Sequence, residues 1–109
     1  MRNMLLACLF CLLALPAAGG EKVKIGVMGP VTGPWASEGD MVNVVTILAD
    51  HVNKNGGANG RIIEIEIADD AGDPRTAALA AQRLISSGVI AVVGTYGSSV
   101  AEAAQGIYD

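Results

Sequence analysis

Residues 89–99 read V-I-A-V-V-G-T-Y-G-S-S and carry the strongest structural signal in the chain. The apolar residues that open this stretch are rich in valine and lie between Gly88 and Gly94, which predicts a strand buried on both faces, as in a parallel sheet. In the small, hydroxyl-rich segment that follows, Ser99 precedes Glu102 by three residues, the pattern of a capping box that starts a helix. Where the strand ends and the helix begins, free backbone N–H groups and serine hydroxyls would point to the space above the sheet edge. A site of this kind favours an anion or a carboxylate.

Outward from this stretch, patterns of strand and helix alternate along the chain. Asp40 is predicted to cap the first helix, whose apolar residues recur at helical spacing, and Asp73 followed by Pro74 predicts the start of the second. The predicted order is strand 22–28, helix 41–55, strand 61–69, helix 74–88, strand 89–93 and a helix from about residue 100.

This order predicts an α/β fold, a doubly wound, Rossmann-like parallel sheet with strand order 2-1-3. In such a sheet the topological switch lies between the first and third strands, and ligands bind beyond their carboxyl ends. The two irregular loops at those ends, 29–40 and 94–99, are therefore expected to face one crevice.

The first twenty residues are predicted to be a cleavable signal peptide. Arg2 precedes the apolar run 4–15, and small residues follow at the expected cleavage point, whereas the run is too short to span a membrane. Both cysteines, Cys8 and Cys11, lie in this segment, so no disulfide framework is predicted for the exported part. The protein is therefore expected in the periplasm or another extracytoplasmic compartment.

The remaining composition excludes several classes of function. The chain of 109 residues allows one domain at most, and its net charge of −4, with the acidic residues spread out, disfavours a nucleic-acid or anionic-membrane partner. His51 is the sole histidine and is expected to be exposed, so no nucleophile and base pair can be assembled. Asp69, Asp70 and Asp73 are explained by turn formation and capping rather than by a metal. We predict no catalytic residue, no metal and no cofactor.

A dinucleotide site is the natural alternative for a glycine-rich turn between a strand and a helix. The glycines of the first turn, Gly26, Gly29 and Gly33, fail the G-x-G-x-x-G spacing, and prolines stand where N–H donors would be needed. An exported Rossmann-like enzyme therefore remains an alternative only.

Several segments, in order and with nearly matching spacing, resemble the leucine/isoleucine/valine-binding protein family. These are exported solute receptors of ABC transporters with a type I periplasmic binding fold. The segments are 24–34, Gly39 with Asp40, 53–57, 69–74 and 93–99.

The resemblance implies a two-lobed protein that closes on an amino acid or a related small carboxylate ligand, acts with a membrane permease and is a monomer. By motif match, Ser98 resembles the serine that binds the ligand α-carboxylate, with Ser99 beside it. Trp35, Glu38 and Tyr96 lie in the two crevice loops and are the other predicted ligand-binding residues.

Two departures bear on the ligand. The branched-chain subgroup has a disulfide between two positions that are both glycine in this chain, Gly72 and Gly97. An aromatic residue often stands near the position where this chain has the acidic Glu38. Trp35, one helical turn earlier, is expected to replace that aromatic residue.

The resemblance covers residues 21–109, which we interpret as the N-terminal part of the first lobe, following a signal peptide at 1–20. The predicted function is an extracytoplasmic receptor that captures branched-chain or related amino acids for an ABC importer, here as a fragment with an incomplete site. A ligand-binding sensor domain of the same fold is the second alternative.

Overall fold

Three parallel strands form one sheet in the order β2-β1-β3 in the computed structural model, which describes residues 21–109. The predicted signal peptide therefore lies outside the described residues. The elements are β1 (Lys22–Gly29), a 3₁₀ turn (Ala36–Asp40), α1 (Met41–Lys54), β2 (Ile62–Asp69), α2 (Pro74–Ser86), β3 (Ala91–Val93) and α3 (Ser98–Tyr108). Between residues 21 and 109, no helix has the length and apolar character needed to cross a membrane.

The strand register confirms the predicted topology. Ile25 in β1 aligns with Ile65 in β2 on one side and with Ala91 in β3 on the other, and both pairings are parallel. The carboxyl ends of all three strands therefore lie at the same edge of the sheet.

Helices cover both faces of the sheet, which confirms the doubly wound fold. Gly26 and Gly29 are three residues apart in β1 and so face opposite sides. A Cβ atom on Gly26 would lie 3.1 Å from Leu84 of α2, and one on Gly29 would lie 3.1 Å from Val42 of α1. Thus α1 packs on one face and α2 on the other.

The main core lies between the sheet and the pair α2 and α3. Met28, Leu84 and Val100 are at most 1% exposed there, and alanines fill the space between them. Small side chains let the helices approach the strands closely, so this modest core excludes water from the central strand.

Strand β3 is shorter and more exposed than predicted. It begins at Ala91 instead of residue 89, and Ile90 is 71% exposed and Val93 43% exposed. Among residues 21–109 the expectation of a strand buried on both faces is wrong: Val92 packs against the core formed with α2 and α3, whereas Ala91 and Val93 point to the opposite face, which no described helix covers. The parallel pairing, on which the predicted crevice depends, is confirmed.

Helix α1 differs from its prediction in two respects. Asp40 does not cap it, because the 3₁₀ turn continues directly into the helix and leaves Asp40 with helical dihedral angles and no capping hydrogen bond. In addition, the residues that face the sheet most closely are Val42 and Ala49. The apolar residues whose spacing predicted this helix lie mostly on its other sides. Three of them, Val44, Ile47 and Leu48, are exposed.

Candidate functional site

The loops that follow β1 and β3 meet at the carboxyl edge of the sheet. The rings of Trp35 and Tyr96 contact each other edge to face, with centroids 5.6 Å apart and an interplanar angle of 85°. This geometry is favourable for aromatic pairs. Trp35 remains 39% exposed and Tyr96 45% exposed, so the pair presents aromatic surface to the solvent. The prediction that these two loops meet at one edge of the sheet is confirmed.

Trp35 also joins the loop that follows β2. Its ring lies against two glycines: an ideal Cβ on Gly72 would stand 3.3 Å from Trp35 Cε3, and one on Gly97 would stand 2.6 Å from Trp35 Cζ3. Gly72 and Gly97 are the two positions where the family resemblance implies a disulfide. In this chain an indole ring occupies the space beside both.

Helix α3 begins without the predicted capping box. Its first residue is Ser98, and the N-cap is Gly97, with φ +95° and no side chain to accept a hydrogen bond. Ser99 therefore lies inside the first turn and does not cap the helix. The capping prediction is wrong because the backbone enters the helix through a glycine conformation that serine adopts only with strain.

The start of α3 is exposed to solvent. The first N–H groups of a helix have no partner within it, and here the first intrahelical acceptor is the Gly97 carbonyl, which accepts from Ala101 at 3.0 Å. Ser98 and Ser99 are both exposed. The helix therefore presents backbone donors and two hydroxyl groups beside Tyr96, an arrangement that suits a carboxylate.

Glu38, the remaining predicted site residue, lies on the exposed 3₁₀ turn after Trp35. Its carboxylate accepts a hydrogen bond of 3.4 Å from Ser37 Oγ. No described hydrogen bond among residues 21–109 joins Glu38 to Ser98 or Tyr96. The structure therefore groups Trp35 and Tyr96 by contact, but leaves Glu38 on the adjoining turn.

Asp69 connects the loops after β1 and β2. Its Oδ1 accepts from the Thr32 N–H at 3.1 Å and the Ala71 N–H at 2.9 Å, while its Oδ2 accepts from the Thr32 hydroxyl at 2.5 Å. Burial raises the pKa of Asp69, but these hydrogen bonds outweigh it, so the pKa lies below its usual value of 3.8.

Asp70 connects the loops after β2 and β3. It is fully buried, and its carboxyl group accepts hydrogen bonds from the Thr95 hydroxyl and, at 2.8 Å, from the Gly72 N–H. Since β1 lies between β2 and β3, this contact spans the end of the central strand. Asp69 and Asp70 thus turn to different loops, as the alternation of strand side chains predicts.

Asp73 caps α2 as predicted. Its Oδ2 accepts from the N–H of Thr76 at 2.8 Å and from the hydroxyl of the same residue at 2.9 Å, and Pro74 occupies the first turn. These bonds from Thr76 lower the pKa of Asp73. In the described part of the chain, no three or more His, Cys, Asp or Glu side chains come together in a way that would hold a metal ion.

We expect acid to destabilise the fold as the pH falls below about 4. The pKa of Asp69 is depressed in the folded chain, so its stabilising effect is present above the usual pKa and is lost as the pH falls through the folded value. Thermal unfolding between pH 3 and pH 6 measures this, and Asp69→Asn should flatten the acid limb of the melting temperature. An equally steep acid limb in Asp69→Asn would contradict this role for Asp69.

The residues that connect the loops were not predicted as part of the site. Thr32 and Thr95 stand in loops and show no periodicity that would mark them, and Asp70 was interpreted only as a turn residue. The available signal was positional. Asp69 ends β2 and Asp70 follows it directly, and each threonine lies in the loop after a strand that the order 2-1-3 brings to the same edge.

Comparison with known proteins identifies relatives of this chain. A family model described as periplasmic binding protein matches residues 22–109. The leucine-, isoleucine-, valine-, threonine- and alanine-binding protein of Pseudomonas aeruginosa is 42% identical over 90 residues, which cover 82% of this chain and 24% of that protein.

Solved structures agree with this result. The branched-chain amino acid transporter substrate-binding protein of Streptococcus pneumoniae, in complex with isoleucine, superposes with a TM-score of 0.74 at 31% identity and covers 80% of this chain and 26% of its own. A solute-binding protein of Rhodopseudomonas palustris, in complex with 3,4-dihydroxybenzoic acid, superposes with a TM-score of 0.67 at 31% identity, covering 78% of this chain and 23% of its own.

The chain therefore spans about a quarter of the length of the relatives it matches. The similarity includes all three strands and the loops at their carboxyl ends, since the matched region runs from the first residue of β1 to the end of α3. On the extent of this match and the shared parallel α/β fold, the chain belongs to the periplasmic binding protein family.

Proposed function

We propose that this chain forms the first-lobe part of an extracytoplasmic receptor site for branched-chain or related amino acids. The observation that carries the proposal is the uncapped start of α3 at Ser98, which lies beside the exposed aromatic pair of Trp35 and Tyr96. The site thus combines donors for a carboxylate with apolar surface for a side chain. A receptor of this kind binds its ligand without chemical conversion.

In this proposal the parts of the site have separate roles. The Ser98 hydroxyl and the first N–H groups of α3 hold the α-carboxylate, where the positive end of the helix dipole favours negative charge. Ser99 adds a second hydroxyl in the same turn. Trp35 and Tyr96 pack against the ligand side chain, and Glu38 lies in the adjoining turn of the same loop. The second lobe of the complete receptor would close over this surface.

The family relationship supports the wider role. The relatives with similar sequences are named as amino-acid-binding proteins, and similar solved structures belong to ABC transporters. We therefore propose an extracytoplasmic location, directed by the signal peptide predicted at residues 1–20, and delivery of the ligand to the membrane permease of an ABC importer. Residues 21–109 are then the N-terminal part of the first lobe.

One alternative ligand class has a specific basis in the structure. The exposed edge-to-face aromatic pair offers ring surface that would also stack against an aromatic acid, and one structural relative was solved with 3,4-dihydroxybenzoic acid. Aliphatic amino acids and aromatic acids share the carboxylate that the start of α3 would bind. The side-chain pocket therefore separates the two classes.

A chimera tests the proposal. Residues 22–109 replace the matching segment of the Pseudomonas aeruginosa relative, which supplies the rest of the receptor, and calorimetry measures the binding of isoleucine. We expect Ser98→Ala to weaken binding by about 1 to 3 kcal/mol, the usual cost of removing a hydrogen bond to a charged group. Ser86→Ala on α2, where the hydroxyl bonds only the Gln82 carbonyl, is the matched control and should leave affinity unchanged.

The outcomes separate the alternatives. A cooperative melt with full isoleucine affinity in Ser98→Ala would exclude Ser98 as a carboxylate ligand. A folded chimera that binds 3,4-dihydroxybenzoic acid but not isoleucine would assign the site to aromatic acids. A folded chimera that binds neither compound would contradict the proposed receptor site.

A further inference from the structure

The Trp35 ring lies against the backbone at the residue that leads into α3. An ideal Cβ on Gly97 would stand 2.6 Å from Trp35 Cζ3, 3.4 Å from Cη2 and 3.6 Å from Cε3, so the six-membered part of the indole fills the space beside this residue. Gly97 is the N-cap of α3 and has φ +95°, a conformation that glycine adopts without strain. The ring therefore contacts the chain directly before Ser98.

Ser98 lies between parts of the chain that are held in place. On its N-terminal side, the hydroxyl of Thr95 donates a hydrogen bond to the loop after β2, and the ring of Trp35 borders Gly97. On its C-terminal side, Val100 is fully buried in the core that α3 forms with α2 and the sheet. The position of the Ser98 hydroxyl therefore depends on contacts that lie on both sides of it in the sequence.

The contact with Trp35 is important because the start of α3 has no local support. Gly97 has no side chain that could accept a hydrogen bond from the first turn, and glycine has the greatest backbone freedom of all residues. In many helices an apolar contact beside the N-cap fixes the direction in which the chain enters the helix. In this chain Trp35, from the loop after β1, supplies such a contact from a distant part of the sequence.

We propose that Trp35 is a positioning residue for the ligand carboxylate, and that it acts through Gly97 on the Ser98 hydroxyl and the first N–H groups of α3. This inference rests on the proposed function, in which those groups hold the carboxylate. It gives Trp35 a second role, separate from packing against the ligand side chain. Hydrogen bonds weaken steeply when their geometry is lost, so a start of α3 that moves freely would hold any carboxylate less tightly.

Two ligands of different size separate the two roles of Trp35. The chimera described above takes the rest of its receptor from a relative that is named for binding both isoleucine and alanine. We expect Trp35→Ala to weaken the binding of alanine by roughly fivefold or more, and that of isoleucine at least as much, because both present the same carboxylate. Weaker isoleucine binding with unchanged alanine binding would overturn the inference and leave the proposed function intact. An unsubstituted chimera that binds neither ligand would refute the proposed function and this inference with it.

Hydrogen exchange of the ligand-free chimera tests the positioning directly. The Ala101 N–H donates to the Gly97 carbonyl at 3.0 Å in the first turn of α3, and we expect it to exchange at least several-fold faster in Trp35→Ala. Exchange in β1 should stay the same, because only a general loss of stability would accelerate both. Leu79→Ala shortens an exposed side chain on α2 and is the matched control, which should change neither affinity nor exchange. Unchanged exchange of Ala101 in Trp35→Ala, or equal acceleration in β1, would overturn the inference.

A double-mutant cycle tests whether Trp35 acts through Gly97. Gly97→Ala places a methyl group where the Trp35 ring lies, and it also strains the backbone at φ +95°. The strain is the same with either residue at position 35, so comparing Gly97→Ala in the unsubstituted chimera and in Trp35→Ala isolates the contact. We expect Gly97→Ala to weaken isoleucine binding at least several-fold more when Trp35 is present. An equal loss of affinity in both backgrounds would mean that Trp35 does not act through Gly97 and would overturn the inference.

Discussion

Gly94→Ala is expected to destabilise the fold by about 2 to 5 kcal/mol, the sum of left-handed backbone strain and overpacking. Gly94 follows β3 with φ +120°, and an ideal Cβ at this position would lie 2.0 Å from the carbonyl oxygen of Met28 in the central strand. Since both groups are backbone, no rotation of a side chain relieves the contact. Chemical denaturation followed by circular dichroism measures the loss.

Gly88→Ala is the matched control for this substitution. Gly88 also has a positive φ, +84°, but an added Cβ would meet no atom within 4 Å. We expect it to show only the conformational cost, about 1 kcal/mol or slightly more. Equal destabilisation by the two variants would mean that the contact with Met28 contributes nothing.

Asp70→Ala is expected to destabilise the fold by about 3 kcal/mol. The change removes a fully buried carboxyl group and leaves the Thr95 hydroxyl and the Gly72 N–H without their partner. Because Gly72 lies against the Trp35 ring and Thr95 precedes Tyr96, which contacts that ring, the loops of the candidate site should also lose their fixed positions. Denaturation measures the first effect, and the fluorescence of Trp35, the sole tryptophan, reports the second.

Two further variants separate the loss of a buried bond from the loss of any aspartate. Asp70→Asn keeps the shape and one acceptor oxygen, so its effect should be smaller than that of Asp70→Ala. Asp73→Ala removes an exposed helix cap, which costs about 1 kcal/mol. If Asp73→Ala and Asp70→Ala lower the free energy of unfolding equally, the hydrogen bond of Asp70 across the end of β1 stabilises the fold no more than an exposed helix cap does.

The order of the strands and the meeting of the crevice loops follow from the sequence, since both depend on local patterns. Glycines punctuate each valine-rich or isoleucine-rich strand, and short parallel connections allow few topologies. The proximity of Trp35 and Tyr96 could be predicted for the same reason, because each residue follows a strand on one side of the topological switch.

The side of α1 that packs on the sheet could not be predicted from the sequence in this way. Periodicity predicts that residues 41–55 form a helix, but large apolar residues occur around most of its circumference, so their spacing does not select one face. The structure buries Val42 and the small Ala49, because a close approach to the sheet leaves little room for larger side chains. The exposure of Val44, Ile47 and Leu48 is therefore a result of the tertiary structure.

The start of α3 was mispredicted for a related reason. Ser99 and Glu102 satisfy the local rule for a capping box, yet the helix begins two residues earlier, at Ser98 after Gly97. The Trp35 ring lies where a side chain at residue 97 would stand, so the entry to the helix depends on a residue 62 positions away in sequence. A rule that considers four neighbouring residues cannot include such a contact.

The packing of Trp35 against Gly72 and Gly97 has a consequence for how residues 21–109 fold. Where the family resemblance implies a covalent crosslink, this chain joins the same loops through an aromatic side chain, and residues 21–109 contain no cysteine. Its loops therefore reach their final positions without an oxidant or a disulfide isomerase. Their arrangement is independent of the redox potential of the compartment in which the protein folds.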